Sequence, residues 1–163
     1  MATIRSRILD RMLRLLTARP IDPKTDPAIM RDKINRLAKR FGRKVKDVEV
    51  CTFDLDGTPA EWLIPKGVKD SATETPTLLY LHGGGYILCS PDTHRPLIAT
   101  LAKQSGSRAL VIDYRLAPEH PFPAAIEDAL KAYRWLLAQG TPASSITVAG
   151  DSAGGGLTLA LLL

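Results

Sequence analysis

Cysteine is almost missing from this chain: only Cys51 and Cys89 occur among its 163 residues. Neither belongs to a C-x-x-C pair or stands at metal-ligand spacing from a histidine, so no disulfide framework and no zinc site is expected. Two unpaired thiols fit a reducing compartment, and the cytoplasm is the expected location. Long apolar runs are also missing. None approaches the ~18 residues that a membrane-spanning helix needs. A secretory signal needs an unbroken apolar stretch of ~7–15 residues, and Arg11 and Arg14 interrupt the only early one. An Arg-rich amphipathic start is also the style of an organelle transit peptide, so that reading stays open. Recognisable nucleic-acid motifs are lacking too, and nucleic acid is not an expected partner despite a formal net charge of +5. Internal repeats are absent.

What is present divides at about residue 43. Residues 1–50 carry 14 Lys/Arg against 6 Asp/Glu, whereas residues 51–163 carry 8 against 11, so the basic character belongs to the N-terminal arm. In that arm Ile4, Ile8, Met12, Leu15 and Leu16 recur at helical spacing, and Met30, Ile34, Leu37 and Phe41 repeat the pattern over 28–41. Pro20 and Pro23 end the first helix and Gly42 the second. Residues 1–42 therefore read as a helical cap segment, and residues 43–163 as part of a separate core.

From Val45 the period shortens. Val45–Leu55 and Ala60–Ile64 read as two strands joined by a hairpin turn at Asp56-Gly57. Strands at Thr77–Leu81, Arg108–Asp113 and Ile146–Gly150 then alternate with helices over Pro91–Gln104, Pro123–Gln139 and from Ala153 onward. Alternation of this kind predicts an α/β fold: a mostly parallel sheet flanked by helices, preceded by the N-terminal cap helices.

Two glycine-rich segments sit where those strands end. His82-Gly83-Gly84-Gly85-Tyr86 follows the first buried strand, and its lack of Cβ atoms lets backbone N–H groups approach an anion closely. Alone it is equally a tight turn. Gly150-Asp151-Ser152-Ala153-Gly154 matches G-x-S-x-G between a strand and a helix, where a sharp turn exposes a serine hydroxyl at a positive helix end. Together they specify an acyl-transfer site. Ser152 is the candidate nucleophile, and Gly83, Gly84, Gly85 and Ala153 are the candidate oxyanion donors, with Gly84 and Gly85 best placed in the loop. His82 reads as the residue that orients the loop. His94 reads as a surface or capping residue, and His120, Asp113 and Asp151 read as structural.

These motifs, with Asp113-Tyr-Arg-Leu-Ala-Pro-Glu-His-Pro-Phe-Pro-Ala-Ala125 between them and the run continuing to Gly155, resemble the hormone-sensitive-lipase family of α/β-hydrolases from about residue 45 onward. The resemblance implies a carboxylesterase for small esters of short to medium acyl chains, with no metal or organic cofactor. It departs at Gly156, where the family usually has Asn, and a looser serine turn is the expected result. The fold places the acid and the histidine of the triad after the serine, yet the eleven residues after Ser152 contain neither. The chain thus reads as the N-terminal part of such an enzyme, inactive alone. Two further readings come from the same residues. Plant gibberellin receptors resemble this family and hold a small ligand without hydrolysis. Arg5, Arg7, Arg11 and Arg14 could draw the first helix to an anionic membrane surface, although a cap role is preferred. Nothing here bears on oligomeric state.

Overall fold

The computed structural model describes residues 25–42 and 45–163. The first expected helix, with Arg5, Arg7, Arg11 and Arg14, lies outside those residues. Helix α1 (Pro27–Phe41) starts at Asp26, whose carboxylate accepts the Ala28 N–H at 2.8 Å, with Pro27 in the first turn. None of its residues is buried. Along its apolar stripe Met30 and Ile34 are half-buried, whereas Leu37 and Phe41 are exposed.

Strands β1 (Val48–Leu55) and β2 (Thr58–Pro65) form the expected hairpin, pairing from Val48↔Pro65 to Leu55↔Thr58. Asp56 and Gly57 both take positive φ at its tip, as a tight turn matched to the sheet twist requires. Then follow β3 (Thr77–Leu81), α2 (Pro91–Ser105), β4 (Arg108–Ile112), α3 (Ala124–Ala138), a short 3-10 turn over 143–145, β5 (Ile146–Gly150) and α4 (Ala153–Leu162).

The five strands lie in the order β1-β2-β4-β3-β5. The parallel part is β4-β3-β5, while β1 and β2 join it antiparallel, so the four pairings divide evenly. Every residue of β3 and β4 is buried, as the apolar runs predict for central strands covered on both faces. Strand β5 stands at the sheet edge and is only half-buried.

Alternation along β3 and β4 sorts the core into two layers. Leu79, Leu81, Leu110 and Ile112 face Leu136 of α3 and Leu157 of α4. Leu78, Tyr80 and Val111 face Ile98 and Ala102 of α2 on the opposite side. Charge enters this second layer once. Glu61 of β2 is buried and takes a two-pronged contact from Arg95 of α2, at 2.7 Å to Oε2 and 3.0 Å to Oε1. Arg95 also reaches Asp92, which in turn meets Lys39 of α1 at 3.0 Å. This chain of charges ties the start of α2 to β2 and α1.

Candidate active site

Strands β3 and β5 are parallel neighbours whose ends, Leu81 and Gly150, pair in register. The glycine loop and the serine turn therefore leave the sheet side by side, at its carboxyl edge, the usual place for a ligand in such folds. Helix α4 packs so closely there that a Cβ on Gly154 would run into the Leu81 carbonyl oxygen and stand 2.7 Å from that of His82.

Ser152 sits at φ 52 and ψ −119, a strained conformation for a residue with a side chain, and is exposed. Its hydroxyl has no hydrogen-bond partner among the described residues. The helix that follows starts at Ala153, whose N–H is among those that an α-helix leaves without an internal acceptor.

The loop is bent by its own backbone. The Gly84 carbonyl accepts the N–H groups of Ile87, at 3.2 Å, and Leu88, at 2.9 Å. Gly84 takes φ +122, and a Cβ there would collide with the Leu88 carbonyl. The N–H groups of Gly84 and Gly85 donate to nothing among the described residues. Gly83 differs from its neighbours. Its N–H donates to Asp151 Oδ1 at 3.0 Å, so the expectation of Gly83 as an oxyanion donor is corrected: that proton is already engaged.

Asp151 is the link between the two motifs. Its Oδ1 also accepts the Tyr80 hydroxyl at 3.0 Å and lies 3.2 Å from His94 Nε2. Partial burial pushes its pKa up, but His94, the Tyr80 hydroxyl and the Gly83 N–H outweigh that and hold it below the usual carboxylate range. Burial, with the Asp151 contact behind it, raises the Tyr80 phenol in turn. His94 was expected at the surface or in a cap; instead it is largely enclosed and turned toward this carboxylate. Sequence reasoning missed the trio Tyr80–His94–Asp151, because each member is unremarkable alone and only the packing of α2 over β3 brings them together.

His82 lies at the head of the loop and contacts its backbone. Its Nδ1 lies 2.8 Å from the Gly83 carbonyl, so Nδ1 carries the proton and donates. Its ring stacks on Tyr114 at 4.2 Å, and the Tyr114 hydroxyl donates to the His82 carbonyl at 2.6 Å. Nε2 is buried without a partner among the described residues. Burial lowers its pKa from 6.5 to about 4, against a smaller raising effect of the Gly83 contact. The unfolded chain therefore binds this proton first as pH falls. Stability contributed by neutral His82 is full above pH 6.5 and is lost on the way down to about pH 4, amounting to ~3 kcal/mol. Urea unfolding of the protein and of His82→Phe at a series of pH values checks this: the difference between their pH slopes should be confined to that window.

Beside Gly85 and Tyr86 opens a largely apolar cavity of about 390 Å³, walled by Ile126 and Leu157 and edged by Phe122 and His120. His120 is exposed on that edge. Among the described residues no group of three or more His, Cys, Asp or Glu could hold a metal ion. Cys51 and Cys89 are both free. None of the described helices is long and apolar enough to cross a membrane.

A family model described as the alpha/beta hydrolase fold matches residues 78–163. An acetyl-hydrolase of Streptomyces hygroscopicus is 52% identical over 103 residues, covering 63% of this chain and 33% of that protein. An ethyl acetate hydrolase of Pseudomonas putida is 40% identical over 121 residues, covering 72% of this chain and 38% of that one. A solved esterase from the bacterial hormone-sensitive lipase family superimposes with a TM-score of 0.82 at 40% identity, covering 99% of this chain and 52% of that one. The chain thus spans about a third of those curated relatives and about half of that structure.

Proposed function

The chain belongs to the α/β-hydrolase fold family, in its hormone-sensitive-lipase-like branch, and we propose that it carries the nucleophile and oxyanion hole of a carboxylic ester hydrolase. The observation that carries this reading is the strained, exposed Ser152 at the head of α4, beside a loop whose Gly84 and Gly85 N–H groups are unspent. Ser152 Oγ attacks the ester carbonyl carbon, and the electron pair of the C=O bond moves onto oxygen. The N–H groups of Gly84, Gly85 and Ala153 receive that oxyanion, a stabilisation that grows as the charge develops. Collapse expels the alcohol, and water then releases the acid from the acyl-serine. Gly83, through Asp151, keeps the loop beside the turn, and His82 keeps it folded.

The cavity beside Gly85 is wide enough for a short to medium acyl or alcohol group, and the names of the acetyl-hydrolase and the ethyl acetate hydrolase favour small substituents. The helical segment ahead of residue 43 serves as a cap in this reading, supported by the contact of Arg31 in α1 with the Ile87 carbonyl at the end of the loop. Cytoplasmic placement fits the two free cysteines.

A serine attacks only when a base takes its proton. His82 is committed to Gly83, His94 to Asp151, and His120 lies on the outer cavity edge. The 163-residue chain alone is therefore expected to turn over no p-nitrophenyl acetate or butyrate, whereas the natural protein that carries it hydrolyses both. Turnover by the chain alone would show that one of these histidines serves as base after all. A natural protein without esterase activity would overturn the reading.

A further inference from the structure

Helix α1 presents three polar side chains to the core at positions 31, 35 and 39, one helical turn apart on a single face. Lys39 meets Asp92, and Asn35 accepts the Ser90 hydroxyl at 2.9 Å; both partners lie at the start of α2. Arg31 does something different. Its Nε donates to the Ile87 carbonyl at 2.5 Å and its Nη2 to the Ala117 carbonyl at 2.7 Å. Glu119 grips the same guanidinium from the other side, at 2.6 and 3.0 Å. The Ala117 N–H meanwhile donates to the Tyr86 carbonyl at 2.8 Å.

These contacts enclose the far end of the glycine loop. Ile87, whose carbonyl Arg31 holds, donates its own N–H to the Gly84 carbonyl, on the peptide that directly follows Gly84. The loop is thus gripped at both ends: at Gly83 by Asp151, and at Ile87 by Arg31. Between the grips lie the two unspent N–H groups. A guanidinium suits the second grip because its planar fork can serve two carbonyls and a carboxylate at once, which an ammonium cannot.

We infer that Arg31 is a positioning residue for the oxyanion hole: the cap helix reaches through it to fix where the Gly84 and Gly85 N–H groups point, with Glu119 as the counter-charge that holds the fork in place. This rests on the esterase reading above and adds a role for the cap beyond covering the site. Misplacing a donor by about 1 Å acts on the transition state more than on the ground state, and such shifts can cost roughly a hundredfold.

The test uses the natural protein that carries this chain, with p-nitrophenyl butyrate as the probe substrate. Arg31→Ala should lower kcat roughly ten- to a hundredfold while KM stays within about twofold. Asn35→Ala and Lys39→Ala loosen the same helix without touching the loop, so they should leave kcat near its parent value. Glu119→Gln keeps both carbonyl contacts and should cost only a few-fold, and Arg31→Lys should recover part of the loss. Amide exchange at Ile87 and Leu88 should quicken in Arg31→Ala and not in Asn35→Ala; Arg31→Lys and Glu119→Gln carry the same readout if the alanine variant fails to fold. An unchanged kcat in Arg31→Ala, or an equal fall in Lys39→Ala, overturns the inference. Ser152→Ala runs alongside: if it retains hydrolysis, the esterase reading falls, and the exchange rates still decide whether Arg31 holds the loop.

Discussion

Replacing Ser152 by alanine in the natural protein is expected to lower kcat for a small ester by a factor on the order of 10⁶, the scale of losing a serine nucleophile outright. The folded state should barely notice. The hydroxyl is exposed and makes no hydrogen bond among the described residues, so its removal leaves no buried group unpaired. Alanine at φ 52 bears the same backbone strain that serine does, because both carry one Cβ. Melting temperature should therefore stay within a degree or two while activity vanishes, a separation of effects that few other substitutions in this chain would give. Residual turnover above water is expected from the donors that remain, Gly84, Gly85 and Ala153. A loss smaller than about tenfold would mean that the acyl group never passes through this hydroxyl.

The parts of this arrangement that could be read in advance are those whose cause is local. Alternation and apolar runs locate β3 and β4 because central strands bury both faces whatever surrounds them. Asp56-Gly57 marks its hairpin because few other pairs accept positive φ twice in succession. The serine turn and the glycine loop announce themselves by residues that only an unusual backbone needs. What stayed hidden depends on neighbours distant in sequence. Asp151 and Gly83 are 68 residues apart, and their bond turns an expected oxyanion donor into an anchor. His94 is a plain helical residue until α2 packs over β3 and turns it toward Asp151. Helix α1 misleads in the opposite direction. Its apolar stripe suggests the buried face, yet none of its residues is buried, and Arg31, Asn35 and Lys39 make polar contacts with the Ile87 carbonyl, Ser90 and Asp92.

The glycines of the serine turn make the same point and carry the second large effect. Gly154, Gly155 and Gly156 are indistinguishable as letters, but their surroundings differ sharply. A Cβ at 155 would rest 3.4 Å from the Gly150 carbonyl oxygen, an ordinary van der Waals contact. At 156 it would stand 2.9 Å from the Tyr86 hydroxyl, the far end of a partly exposed side chain that can swing aside. At 154 it meets backbone: the carbonyls of Leu81 and His82, which belong to the end of β3 and the head of the loop and cannot turn away without breaking the sheet. Gly154→Ala must instead lift α4 from β3 by something near an ångström. Overpacking of that kind costs about 1–3 kcal/mol in stability. The same lift carries Ser152 and the Ala153 N–H away from Gly84 and Gly85, so turnover should fall at least roughly a hundredfold even in the folded fraction. Gly155→Ala and Gly156→Ala should keep activity within about tenfold of the parent, as smaller shifts demand. Kinetics with p-nitrophenyl butyrate and thermal melts of the three variants, measured together in the natural protein, decide it. Equal losses at all three positions would mean that glycine serves here for chain flexibility, and not for the close approach of α4 to β3 that sets the nucleophile in place.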